Sequence, residues 1–234
     1  MKIAIMQPYF FPYIGYFHLL HSVDTFVFYD DVHFVKKGWI HRNNILINGT
    51  SYLFTIPCVK PSQNKLIKDI ATNFSIAEKQ LFLKRLEQAY KKSPYFEEFY
   101  PSLEQFIKAA EQGSIGELAA QSVMFITEYL GIERAFKFSS ETHSDSRGAE
   151  KQERLIAIVK KEGATDYHNA IGGTTLYAKE DFLKENINLQ FIKSNAISYA
   201  QDKKSFVPWL SIIDVLMFNS KEKTNELITS YQLI

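Results

Sequence analysis

The chain has 234 residues and a formal net charge of +1, so no overall field predicts a nucleic-acid or membrane-surface partner. Its composition, 46% hydrophobic with 15% aromatic residues, is that of a folded protein and argues against extensive disorder. The single cysteine, Cys58, excludes an intrachain disulfide, and the apolar run after Lys2 is too short for a secretory signal. We therefore expect a cytoplasmic protein without a membrane span.

The first third of the chain predicts the opening of a parallel α/β sheet. Lys2–Met6 is a short apolar run that ends at a Gln-Pro pair, which indicates a buried strand. The apolar cluster at residues 16–23 has the length of a helix, and residues 25–29 are strongly strand-prone. Asn48-Gly49 then predicts an antiparallel hairpin between residues 45–47 and 52–56.

Helical periodicity follows the hairpin. Ile76–Tyr90 has apolar residues at helical spacing, with Asn73 or Ser75 as its cap. Further helices are predicted over residues 100–110 and 115–130, the latter beginning after Ser114 and ending at Gly131.

The second half predicts a further set of alternating elements. Residues 139–148 are rich in Ser, Asp and His and predict a mobile loop. The expected order is then a helix at 150–162, a strand at 166–169, a turn at 172–175, a helix at 177–184, a strand at 189–192 and a helix at 210–218. We expect one α/β domain over residues 1–234, Rossmann-like, with a mostly parallel sheet, an N-terminal β-hairpin insertion and additional helices.

The densest functional signal lies in the loop after the first strand. A chain that leaves a strand and enters a helix presents free N–H groups, and Gly15 would let an anionic ligand approach them. In the alternative, the prolines and aromatic residues of residues 7–17 only pack a lid over the sheet. Nucleotidyl-transferring α/β enzymes carry His-x-Gly-His at this junction, where residues 13–16 read Tyr-Ile-Gly-Tyr. The likeness is topological, because neutral tyrosines cannot neutralise a leaving phosphate as imidazolium does.

Two further clusters follow the second strand. Asp30 and Asp31 would bind a cation, orient sugar hydroxyls or orient an imidazole, or else merely cap the next turn. The pair does not by itself predict a metal site. Residues 36–43 combine a cation, a stacking ring, a titratable base and a planar anion-binding group. His41 is the leading candidate for a general base there, and an ordinary surface loop is the alternative.

Near the other end, Gly172 and Gly173 follow a predicted strand and precede a helix. Such a turn can hold phosphate or carboxylate oxygens, and a plain tight turn is equally consistent with it. Cys58 has apolar neighbours that would raise its pKa, which argues against a nucleophilic thiol.

Four segments together closely resemble the WbqC-like protein family: residues 6–17, 30–34, 37–43 and 208–218. The resemblance implies a role in bacterial surface-polysaccharide (O-antigen) synthesis. It implies a transferase that moves an acyl or aminoacyl group onto the amine of a nucleotide-linked amino sugar. His41 departs from the pattern, since the family often has Asn there, which weakens its assignment as an indispensable base.

The sequence patterns and the family resemblance together predict one site, and they identify no cofactor. The expected partners are a sugar nucleotide and an acyl donor or carrier protein. The alternatives are an ATP-using nucleotidyl transferase or ligase, and a non-catalytic scaffold protein. The predicted catalytic residues are His41, His18 and Asp31, and the predicted substrate-binding residues are Gln7, Tyr13, Gly15, Asp30, Lys37, Trp39, Arg42, Asn43, Gly172 and Gly173.

Overall fold

The computed structural model describes residues 1–149, 151–201 and 205–234. The strands are β1 (Lys2–Met6), β2 (Thr25–Phe28), β3 (Arg42–Ile47), β4 (Thr50–Thr55), β5 (Ala135–Phe138), β6 (Asp166–Ala170), β7 (Asn188–Ser194) and β8 (Tyr231–Leu233). The helices are α1 (Ile14–His21), α2 (Ile76–Tyr90), α3 (Phe96–Ala109), α4 (Ile115–Tyr129), α5 (Ser139–Thr142), α6 (Lys151–Lys161), α7 (Lys179–Leu183), α8 (Ile212–Phe218) and α9 (Lys221–Ile228). Short 3-10 turns cover Ile67–Asp69, Ser144–Ser146 and Ile171–Thr175.

The main sheet has six strands in the order β5-β2-β1-β6-β7-β8. All neighbours are parallel except β8, which runs antiparallel to β7 at the edge. The chain moves outward from β1 through β2 to β5, and then returns to the other side of β1 with β6. Strand order therefore reverses between β1 and β6, and such a switch point leaves a crevice at the carboxyl ends of the two strands.

Alternate residues of the central strands bury themselves on opposite faces of the sheet. Ala4 and Phe26 belong to the larger core, which also contains the hydrophobic faces of α1 to α4. Ile3 and Val27 belong to a smaller core on the other face, where Phe182 of α7 also packs. This period of two is what a parallel sheet covered by helices on both faces requires.

The predicted α/β, Rossmann-like fold is confirmed, including the separate hairpin of β3 and β4. Ser75 caps α2, and Ser114 forms a capping box at the start of α4. Gly131 and Gly163 both adopt positive φ, at 70° and 66°, after the helices that they end. β5, α9 and β8 were not predicted, and α3 begins four residues before the predicted helix at residue 100.

Two other expectations need qualification. Residues 139–148 contain one turn of α-helix and one 3-10 turn, with Ser139 buried, and the mobility of this segment stays a prediction. Glu150, the expected first residue of the helix at 150–162, lies outside the described residues. Among the described helices, none combines the length and the apolar character needed to cross a bilayer.

Candidate functional site

A cavity of about 580 Å³ opens at the switch point between β1 and β6. Met6 at the end of β1 and Ala170 at the end of β6 form its floor. Five of its fourteen lining residues are aromatic, and none of the described lining residues carries a charged side chain. The rings belong to Tyr9, Tyr13, Tyr16, Trp39 and Trp209, the amides to Asn43 and Asn44, and the glycines are Gly15 and Gly172.

The loop after β1 is held in place by its phenylalanines. Phe10 and Phe11 are fully buried, and Phe17 of α1 is buried beside them. The backbone N–H of Phe10 donates to the carbonyl of Ile40, and that of Phe11 donates to Ser122 Oγ. The phenylalanines of this loop therefore pack into the core, whereas Tyr9 and Tyr13 of the same loop line the cavity.

Gly15 is needed for a reason other than ligand approach. A Cβ atom at this position would lie 2.3 Å from the ring of Tyr13, so the ring occupies the space above the glycine. The approach of an anionic ligand to the backbone at Gly15 stays a prediction. The Tyr16 hydroxyl donates to the carbonyl of Gln7, so Gln7 helps to fix the loop and does not line the cavity.

Trp39 projects into the cavity from the loop that precedes β3, and 44% of its surface is exposed. The guanidinium carbon of Arg42 lies 5.6 Å from the centre of its ring, within the range of a cation–π contact. Arg42 also donates to the carbonyls of Lys37 and Gly38. Arg42 therefore holds the Trp39 loop in shape, and it places positive charge beside the cavity.

Asn43 ties two segments of the cavity wall together. Its side-chain N–H donates to the carbonyl of Phe11 over 2.7 Å, and its oxygen accepts from the backbone N–H of Asn44. Ser211, at the start of α8, donates to the same Phe11 carbonyl. Asn43 is 4% exposed and its polar atoms are satisfied, so it positions the wall of the cavity.

The two late glycines have different environments. A Cβ atom on Gly172 would meet nothing within 4 Å, and Gly172 lines the cavity. A Cβ atom on Gly173 would come within 2.9 Å of the Asn169 side chain and 3.1 Å of Phe191. Gly172 therefore borders the site, whereas Gly173 permits close packing beneath it.

The structure places the predicted carboxylates outside the cavity. Asp31 is 2% exposed and accepts hydrogen bonds from Arg154, Arg147 and Ser139, while Asp30 accepts from Ser139 and Ser140. Burial opposes ionisation of Asp31, but the hydrogen bonds from Ser139 and Arg154 outweigh it, so its pKa lies below the ordinary value. The oxygens of both carboxylates have partners within the protein. The catalytic role of Asp31 and the substrate-binding role of Asp30 stay predictions.

Neither predicted catalytic histidine lines the switch-point cavity. His18 is fully buried, and its two ring nitrogens contact Ser194 Oγ and the carbonyl of Leu227. Burial lowers the pKa of His18 to about 4. His41 is 7% exposed and packs on Phe34, with burial and the neighbouring Arg42 lowering its pKa. Both ring nitrogens of His18 therefore have partners, whereas His41 Nδ1 is buried without a hydrogen-bond partner among the described residues. Both assignments as general base stay predictions.

Sequence reasoning missed Trp209 as a site residue. It is 71% exposed, lies in the cavity wall and adopts a φ of +63°, which is rare for a bulky residue. Its ring centre is 5.8 Å from that of Tyr13. The signal in the sequence was an aromatic residue directly after Pro208, where neither a helix nor a strand needs one.

The structure thus brings the residues around Gly15, Trp39 and Gly172 to one cavity and leaves Asp30 and Asp31 apart from it. In the described part of the chain, no three His, Cys, Asp or Glu side chains are placed to hold a metal ion.

Comparison with known proteins agrees with the sequence resemblance. The sequence model of the WbqC-like protein family matches residues 7–226. A protein of Mycobacterium tuberculosis, described as "Uncharacterized protein Rv1507c", is 27% identical over 220 residues, which cover 93% of each chain. No solved structure matches the chain.

Proposed function

Because the chain belongs to the WbqC-like protein family, we propose that it is a transferase of bacterial surface-polysaccharide synthesis. It moves an acyl or aminoacyl group onto the amine of a nucleotide-linked amino sugar. The observation that carries this proposal is the aromatic cavity at the switch point between β1 and β6. Open α/β sheets bind their ligands at this place.

The chemistry of the wall suits the ring systems of a sugar nucleotide. Trp39 and Trp209 offer exposed faces on which a base or sugar can stack. Burial raises the pKa of Tyr9 and of Tyr13, so both hydroxyls stay protonated at neutral pH and can donate to sugar oxygens. Arg42, which lies over Trp39, and Lys37 of the same loop would supply positive charge to a diphosphate at the rim.

In this proposal the cavity binds the sugar nucleotide and orients its amine towards the acyl donor. No histidine or carboxylate lines it among the described residues, so the amine must lose its proton to solvent or to a group brought by the donor. Orientation alone can lower a barrier by roughly 7–11 kcal/mol when it converts a bimolecular step into a unimolecular one. Pre-formed walls fixed by buried phenylalanines are consistent with that role.

Tryptophan fluorescence tests the proposal directly, because the chain has only two tryptophans and both line the cavity. Titration with UDP-linked amino sugars should change the emission of the wild type and of the Trp39→Phe and Trp209→Phe variants. Mass spectrometry of the sugar after addition of acyl donors should then show the mass of the transferred group. No emission change with any member of a broad nucleotide-sugar panel would defeat the proposal.

The two alternatives are separated by other measurements. An ATP-using nucleotidyl transferase or ligase should release pyrophosphate from ATP in the presence of candidate acids, and the proposed transferase should not. A scaffold protein would need an exposed partner surface. Phe10 is fully buried and cannot supply one, so Tyr9 and Trp209 are the positions to mutate in a pull-down.

A further inference from the structure

A second cavity, of about 380 Å³, lies on the other side of the Tyr13 ring. Its wall contains Ile14 of α1, Ser194 at the end of β7, and the segments leading into α8. Tyr13, Gly15 and Trp209 line both this cavity and the one at the switch point. The two spaces are therefore neighbours that share a wall of two aromatic rings.

Three polar side chains of the second cavity, those of His18, Ser194 and Tyr199, have hydrogen-bond partners within the protein. Both ring nitrogens of His18 have partners, and one of them is Ser194 Oγ at 2.8 Å. The Tyr199 hydroxyl donates to Asp214 over 2.6 Å. A pKa of about 4 keeps His18 neutral at physiological pH. An apolar group can therefore enter without breaking these hydrogen bonds, whereas a charged group would find no oppositely charged side chain among the described lining residues.

The remaining wall of this cavity is mostly apolar, with Asn195 as a polar exception. It includes Ile197, Phe206, Pro208, Leu210 and Val215. An engineered apolar cavity of about 150 Å³ is large enough for benzene, so a space of this size accommodates a chain on the order of ten carbon atoms.

Trp209 separates the two cavities at an energetic cost to the fold. A bulky residue with φ of +63° is strained, and 71% of the Trp209 surface is exposed, so burial does not repay the strain. Its contact with the Tyr13 ring closes the wall between the two cavities. Strain of this kind at the border of two cavities points to a role in holding ligands.

We propose that the second cavity binds the hydrocarbon chain of the acyl donor, with its thioester carbonyl at the border formed by Tyr13 and Trp209. The inference rests on the proposed function for the identity of the chain, and it favours an acyl group over a charged aminoacyl group. The amine nitrogen of the sugar forms the new bond to the carbonyl carbon, the carbon–sulfur bond breaks, and the amine proton leaves with the thiol.

Chain-length dependence of binding tests the proposal. The Trp39→Phe variant keeps Trp209 as its sole fluorescent reporter, and the probes are S-acyl-N-acetylcysteamine thioesters with chains of two to ten carbons. We expect affinity to rise about fourfold for each added CH₂ until the cavity is full, and then to level off. Equal affinity for the two-carbon and eight-carbon thioesters would overturn the proposal.

A matched pair of variants locates the site. Ala196 lines the second cavity, whereas Ala200, exposed in the same segment, does not. Ala196→Phe should abolish the gain in affinity with chain length, and Ala200→Phe should keep it. If both variants bind the eight-carbon probe as the wild type does, the chain does not lie in this cavity, and the inference fails.

The two proposals can fail separately. The thioester titration contains no sugar nucleotide, so a chain-length dependence that Ala196→Phe removes supports the acyl cavity even if no sugar nucleotide binds. Conversely, Ala196→Phe should bind UDP-linked amino sugars with wild-type affinity. A loss of that binding would mean that the two cavities act as one site, which would overturn the separate acyl pocket.

Discussion

Two regions at the carboxyl edge of the sheet lie on either side of β1. They differ in whether side chains of the protein already fill the hydrogen-bonding positions. Beyond β2 and β5, the carboxylates of Asp30 and Asp31 are saturated by Arg154, Ser139 and their neighbours. Between β1 and β6, the space is open and ringed by aromatic side chains. In the first region, side chains of the protein occupy the hydrogen-bonding positions of the carboxylates. In the second region, a cavity is left that a ligand can enter.

Charge density alone therefore does not mark the site. Transferring a carboxylate and a guanidinium out of water is costly, and the pair is retained only where geometry and further hydrogen bonds compensate. Arg154 meets both oxygens of Asp31 at 2.7 Å and also lies 4.7 Å from the centre of the Tyr29 ring. These contacts describe a structural joint that fastens residues 139–147 and α6 to the sheet.

The largest expected effect comes from breaking that joint. Asp31→Ala leaves Arg154 buried without its partner, which should lower the free energy of unfolding by about 3–5 kcal/mol in urea denaturation at pH 7. Sugar-nucleotide affinity, measured by tryptophan fluorescence, should stay at the wild-type value. The matched control is Asp145→Ala, which removes an exposed ion pair with Lys161 of the same helix and should cost nothing measurable.

The acid dependence of Asp31 has a definite sign. Its pKa is lower in the folded state than in the unfolded chain, so its contribution is present above the unfolded value near 4 and is lost as pH falls through the folded value. The stability difference between wild type and Asp31→Ala should therefore shrink below about pH 4. A variant that is fully stable but has lost ligand binding would place Asp31 in the site after all.

A second expected effect concerns His18, which lines the second cavity. Both of its ring nitrogens have hydrogen-bond partners within the protein, as the oxygens of Asp31 do. Its folded pKa, about 4, lies below the unfolded value of 6.5, because burial favours the neutral ring. The stability that depends on neutral His18 is complete above pH 6.5 and is lost towards pH 4, by up to about 3 kcal/mol.

His18→Gln removes this titration, so the variant should lose less stability than the wild type between pH 6.5 and pH 4 in urea denaturation. An NMR titration of the His18 ring checks the cause. A midpoint near 6.5 would show that the ring is solvated and available for proton transfer.

The third prediction tests the packing of the Tyr13 ring against Gly15 in the wall of the two cavities. Gly15→Ala brings a Cβ atom into the Tyr13 ring, and overpacking of this kind typically costs about 1–3 kcal/mol. The displaced ring should also weaken the binding of ligands in both cavities. Gly172→Ala is the control, since nothing lies within 4 Å of its Cβ position, and its stability should change by less than about 0.5 kcal/mol. Equal thermal stability of the two variants would contradict the close contact between Tyr13 and Gly15.

The same comparison explains what the sequence could and could not predict. The hairpin at Asn48-Gly49 and the caps at Ser75 and Ser114 depend on local chemistry, and they were predicted correctly. The saturation of Asp31 depends on an arginine 123 residues away in the chain, which no local pattern reveals. The Gly15 and Gly172 segments meet at one cavity because each follows a strand of the parallel sheet, and parallel strands end at one edge.

Short edge elements escaped prediction for a similar reason. β5 has four residues and β8 has three, so each is defined by its pairing with a distant strand more than by its own pattern. The backbone of Trp209 was equally hidden, because a positive φ at a tryptophan runs against every local preference.

The smallest expected effect tests whether Arg42 only holds the Trp39 loop in place or also contributes to ligand binding at the rim of the cavity. Arg42→Lys keeps the charge but loses the planar group that donates to the carbonyls of Lys37 and Gly38 and lies over Trp39. The free energy of unfolding should fall by about 0.5–1 kcal/mol. In the Trp209→Phe background, the emission of Trp39 should move to longer wavelength as the ring becomes more exposed to water, and sugar-nucleotide affinity should drop a few-fold.

Arg85→Lys provides the matched control, because Arg85 lies over the Tyr52 ring at 5.1 Å on the hairpin, among residues that do not line the cavity. It should show a similar small loss of stability with no change in Trp39 emission or in ligand affinity. If Arg42→Lys behaves in the same way as this control, the Trp39 loop holds its shape without Arg42. The charge beside the cavity would then take no part in binding, and the open side would owe its affinity to the aromatic rings alone.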